Sequence, residues 1–161
     1  MNNEELIQLM ATATRLACAA ITSTGQAALQ TSLDQARATP AEFGWERKAA
    51  AHAGFFNALA DAAPGSCAAP VLNFGAGYVY DLMIGSGRAA DGIVVNSRRR
   101  MLAHLRAGDA EEAAYEMEKH LRVLRFMRRL AASPSPSHSA RPSVGVGVGI
   151  GVSTSPVRAT A

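Results

Sequence analysis

Three side chains able to bind ions or move protons sit where helical spacing puts core residues. His52 lies on the face shared by Trp45, Ala49, Phe56 and Leu59. Arg98 follows Val94 by four and precedes Leu102 by four. His120 follows Met117 by three and precedes Leu124 by four. Residues three or four apart share one side of a helix, so all three point inward with apolar neighbours. A buried guanidinium is costly unless a carboxylate or phosphate pairs with it, and acidic residues on these stripes are few. A bound anion beside Arg98 and the two histidines would therefore make physical sense. Set against this, a single histidine on an apolar helix face is usually a satisfied core residue, and an arginine can extend its head out to water. Arg99 and Arg100 are read as solvated, His104 as exposed, and His138 as lying in the tail.

The elements that must position these residues are helices. Alanine supplies much of the 48% hydrophobic content while aromatics are 6%, a balance that favours helix over strand. The first helix is expected near 3–22, with Leu6, Leu9/Met10, Ala13 and Leu16/Ala17 at three-to-four spacing. A break at 23–25 precedes a shorter helix carrying Leu29, Leu33 and Ala36, which ends before Pro40. A third runs near 41–62 and stops at Pro64-Gly65. A fourth, near 67–84, carries Pro70, Gly75 and Gly77, which invite kinks. The fifth, near 90–107, ends at Ala107-Gly108-Asp109. There Gly108 suits a left-handed cap, and Asp109 with Glu112 forms a capping-box variant for the last helix, which runs to about 131. Short links predict an all-α antiparallel bundle of about six helices over 1–131. Residues 132–161, rich in Ser, Pro, Gly and Val, are expected to be a disordered tail. Gly145, Gly147 and Gly149 lack the flanking strand, helix and lysine of a phosphate loop.

A net charge of +3 permits an acidic ligand without requiring a nucleic acid. Cys18 and Cys67, in alanine-rich settings and outside any CxxC, are read as buried free thiols. The start, MNNEELIQLM, has no signal-peptide character, and no apolar run reaches membrane-spanning length, so a cytoplasmic protein is expected. Nothing with the spacing of a nucleophile–base pair, HExxH or paired carboxylates supports an enzyme, and no cofactor is expected.

Residues 98–121, RRRMLAHLRAGDAEEAAYEMEKHL, resemble the end of the FCD domain, the effector-binding and dimerisation domain of FadR-type transcription regulators in the GntR family. AAAHAGFFNALADAA (49–63) resembles that domain's earlier Asp-x-x-Phe-His motif, and LMATATRLACAAIT (9–22) its opening alanine-rich helix. The resemblance spans roughly 5–131. Many such domains hold a divalent metal through one aspartate and three histidines. Carried over here, His52 stands at the aspartate, Phe56 at the first histidine and Arg98 at the second, and only His120 matches a ligand position. Phenylalanine cannot ligate and arginine repels a cation, so the resemblance implies a metal-free pocket for a small carboxylate effector. Arg98 would be its anchor, His52 and His120 hydrogen-bond partners, and Asn73, Tyr78 or Tyr80 further polar groups from the fourth helix. It also implies a homodimer. The winged helix-turn-helix that precedes the domain in such regulators has no counterpart in this sequence, so direct DNA binding by this chain alone is not expected. The alternative is an interaction module, or a truncated fragment, that pairs with full-length relatives without sensing a ligand.

Overall fold

The structure, a computed structural model, describes residues 2–133. Of the expected tail, 132–161, Ala132 instead closes α6, and residues from 134 onward lie outside the described residues. Six α-helices account for the fold: α1 Asn3–Ala20, α2 Ser23–Ala38, α3 Trp45–Ala62, α4 Ala69–Ser86, α5 Asp91–Ala107 and α6 Ala110–Ala132. Short 3₁₀ turns at Ala41–Phe43 and Arg88–Ala90 lead into α3 and α5. The described residues contain no strand, in keeping with the all-α bundle expected from the composition. None of these helices is long and apolar enough to cross a membrane.

Neighbouring helices pack in a closed order, α1 on α6, α6 on α5, α5 on α2, α2 on α3, α3 on α4 and α4 back on α1. α4 also packs on α6 across the middle. The core enclosed this way is made of Ile7, Met10, Leu29, Phe55, Phe56, Leu59, Leu72, Val79, Met101, Met117 and Leu121, all essentially without solvent contact. Full burial of each large apolar side chain contributes roughly 1.5–3 kcal/mol, which is the main force closing the ring.

Local chemistry explains the ends. Asn2 caps α1, accepting from the backbone N–H of Glu4 and Glu5, while Glu5 returns a bond to the Asn2 backbone. At the α5–α6 corner Gly108 adopts φ 72° and ψ 17°, the left-handed conformation, and Asp109 accepts from the Glu112 backbone N–H at 3.3 Å. This is the corner the sequence predicts.

The structure corrects several boundaries. The expected break at 23–25 is the first turn of α2, capped by the Thr22 hydroxyl, which accepts from the Gly25 N–H. The third helix begins at Trp45, because Gly44 at φ 112° interrupts the backbone after a separate 3₁₀ turn. α4 is one continuous helix. Pro70 sits in its first turn, where no N–H is needed, and Gly75 lies where a Cβ would stand 2.1 Å from Met10 Cε. Of the paired alternatives on α1, Met10 and Ala17 face the core while Leu9 and Leu16 are exposed. Cys18 is buried as expected, but Cys67 is exposed, because it precedes α4 in a turn rather than lying inside a helix.

Candidate functional site

α3, α5 and α6 carry the three inward polar residues, and the bundle brings them together. Arg98 is the largest fully buried side chain among the described residues. It reaches from α5 to α3, where its Nη1 donates to His52 Nδ1 at 2.7 Å. A guanidinium has no acceptor, so His52 Nδ1 must carry the lone pair and the ring proton must be on Nε2. That proton is donated to Asp91 Oδ1 at 2.7 Å. The other carboxylate oxygen of Asp91 lies 3.3 Å from Lys48 Nζ, and Lys48 also donates to the Thr39 carbonyl at 2.9 Å. The result is a line of alternating function, Lys48–Asp91–His52–Arg98, running from the bundle's edge into its centre.

Aromatic rings form the floor. The Arg98 Cζ lies 5.5 Å from the Phe55 centroid and 5.2 Å from that of Phe56. A cation over a ring face in a desolvated place gains about 1–2 kcal/mol, which offsets part of its burial cost. Phe56 stacks on His120, with centroids 6.1 Å apart and 23° between planes. Phe56 thus packs against both the guanidinium and the second imidazole.

Burial, and then the Arg98 charge, lower the His52 pKa to about 4, so the ring is neutral at physiological pH. His120 is also held well below its ordinary value, by burial first and then by Arg98. Burial lowers the Arg98 pKa to about 9, which leaves it cationic at neutral pH. The region is therefore one fixed positive charge with two neutral imidazoles.

Its hydrogen bonding is incomplete. Arg98 Nε and Nη2, both ring nitrogens of His120, Ser97 Oγ and Glu116 Oε2 are buried without a partner. Nε and Nη2 form the side-on edge of the guanidinium, two parallel donors spaced for the two oxygens of one carboxylate. Glu116 meets Arg100 Nε at 3.0 Å through its other oxygen. Arg98 and His120 line none of the clefts around Tyr78, Gln35, Gln8, Glu4 or Ala28, and both are closed off from solvent.

Not every expected member joins. Asn73 is exposed on α4, and Tyr80 is half-buried against the core without a bond to Arg98 or His120. Tyr78 lines a separate surface cleft beside Arg125, Arg128 and Arg129. α4 turns these three residues away because its buried stripe is Leu72, Ala76, Val79 and Met83. His104, expected to be exposed, is half-buried. Sequence reasoning also passed over Asp91 and Lys48. Each had a signal: Asp91 is seven residues before Arg98 and Lys48 four before His52, which places each on the same helix face as a residue of the site. Asp91 is the acidic partner here, serving His52 directly and Arg98 through it.

These residues do not fit a divalent metal. Both His52 nitrogens are engaged, Phe56 offers no donor, and a guanidinium occupies the centre. Among the described residues no group of three or more His, Cys, Asp or Glu side chains is placed to hold an ion. Compared with family models, curated proteins and solved structures, the chain finds no match in any of the three.

Proposed function

We propose that this chain is an effector-sensing and dimerisation module of the FadR type, an FCD-like domain of a transcription regulator, that binds a small carboxylate at Arg98. The observation that carries the reading is the Nε/Nη2 edge of Arg98, buried and without a partner beside the unpartnered His120 ring. A buried charged donor left unsatisfied costs several kcal/mol, and a carboxylate accepting from both nitrogens would recover much of that. Phe55 and Phe56 would hold the guanidinium plane while His120 donates or accepts a further bond. Because the residues are enclosed, the ligand must be admitted by separation of α5 and α6 from α3. Binding that favours the separated arrangement would shift the bundle's equilibrium, which is what an effector must do. Exposed Leu9 and Leu16 on α1 suit a face shared with a second copy.

Thermal-shift screening of small mono- and dicarboxylates against wild type, Arg98→Ala and Arg98→Met is the test. A carboxylate should stabilise wild type and neither variant; the methionine fills the space if alanine fails to fold. Equal stabilisation of wild type and Arg98→Met would remove the anchor role.

A second reading, a non-sensing module that pairs with relatives, is favoured by the closure of the site: no described cleft reaches Arg98. Here the Lys48–Asp91–His52–Arg98 line would serve only to fix the register of three helices. Its signature is a mixed dimer with no carboxylate response.

A further inference from the structure

Tyr78, displaced from the buried site, belongs to a different one. A cleft of about 280 Å³ opens where α1 begins and α6 ends, lined by Asn3, Tyr78, Leu82, Arg125, Arg128 and Arg129. We propose that this cleft is a binding site for the phosphate group of a small phosphorylated ligand, gripped by the three arginines and the Tyr78 hydroxyl.

Three observations support it. First, the Tyr78 hydroxyl is buried and has no hydrogen-bond partner, although a phenol in such a place normally finds one. Burial raises its pKa while Arg125, Arg128 and Arg129 pull it down, so all three cations bear on the same oxygen. Second, the cations are under-neutralised. Glu4, the carboxylate that meets Arg125, is held mainly by Arg122 at 2.6 Å, with Arg125 at 3.4 Å. Among the described residues Arg128 and Arg129 pair with no carboxylate. Third, Gly85 of α4 makes room for Arg128. A Cβ there would stand 2.8 Å from Arg128 Cγ and 3.0 Å from its Nε, so a side chain at position 85 would push the arginine from its place against α4.

Cations at the end of a helix commonly offset its negative pole. That accounts for charge near α6's terminus but not for the orphaned phenol or the space at Gly85. Moreover, two of the four terminal carbonyls of α6, those of Arg129 and Leu130, already accept from the Ser133 N–H. The choice of phosphate over carboxylate follows from donor number. Three guanidinium groups and a hydroxyl converging from two helices outnumber the lone pairs a planar monoanion can present, and they match a tetrahedral dianion. The site is open to solvent, so the remainder of a phosphate monoester can project outward.

The test is titration of the full chain with inorganic phosphate, and separately with glycerol phosphate, at constant ionic strength, following arginine Nε–H resonances by NMR. Saturable shifts at Arg125, Arg128 and Arg129 are expected, with none at Arg98 and an unchanged curve in Arg98→Met. Arg128→Gln with Arg129→Gln should weaken binding about tenfold or more. Tyr78→Phe and Gly85→Ala should each weaken it about three- to tenfold without lowering the melting temperature. Shifts that rise without saturating would overturn the proposal, as would binding undiminished in the double variant. So would a duplex oligonucleotide that occupies the cleft and that neither phosphate compound displaces.

Discussion

Acid should destabilise this fold well before its surface carboxylates are protonated, and the reason is His52. Its folded pKa is about 4, against 6.5 for an unperturbed ring. Between these values the unfolded chain binds a proton that the folded one refuses, so stability rises with pH across the window and falls as pH drops through it. Each unit of difference is 1.36 kcal/mol, so the full effect is about 3 kcal/mol, of which about 2 kcal/mol is lost between pH 7 and pH 5. His120, lowered for the same cause, acts with the same sign and in the same direction of pH. Against a domain stability of roughly 5–15 kcal/mol this is a large fraction. The surface acids Glu4 and Glu111 are held below their ordinary range by arginines, so their protonation falls at lower pH and does not confuse the window. Urea unfolding at pH 7, 6, 5.5 and 5 gives the slope, and proton NMR of the ring gives the His52 titration directly. His52→Gln can donate to Asp91 and accept from Arg98 but cannot titrate. It should flatten the dependence by the His52 share while leaving that of His120. A wild-type stability that is flat from pH 6.5 to 5, or a His52 ring that titrates near 6.5, would refute the reasoning.

Two further outcomes test the packing around the site. Asp91→Asn removes the carboxylate from both His52 and the buried Lys48 ammonium, and should cost about 2 kcal/mol in urea unfolding; it should also move the His52 pKa further down, since Asp91 is what raises it. Gly75→Ala should destabilise by about 1 kcal/mol although alanine is the better helix former, because the new methyl meets the Met10 thioether; a gain in stability would show that Met10 moves aside freely.

Much of the helical framework could be read locally. Asp109, Gly108 and the apolar stripe of α6 define a start, a corner and a buried face from neighbouring residues alone. The inward placement of His52, Arg98 and His120 came from the same 3.6-residue period and agrees with their burial. Where two adjacent residues competed, as with Leu9 and Met10, the period left both open, since a shift of 100° around a helix axis is smaller than an apolar stripe is wide. The glycines of α4 read as kinks because a sequence does not display the Met10 side chain packed against one of them.

The sequence by itself thus determined that the chain is helical, where most helices begin and end, and that three polar residues face inward. Only the tertiary structure decided who meets whom. The hydrogen bond from His52 to Asp91, 39 residues apart, depends on how α3 and α5 are rotated and offset along their axes. So does the direction of Tyr78, which turns from Arg98 toward three arginines at another end of the bundle. Those rotations are set by the packing of all six helices together, a sum over distant contacts that no local window contains. The unpartnered edge of Arg98 is a product of that sum, and with it the chemistry proposed for the site.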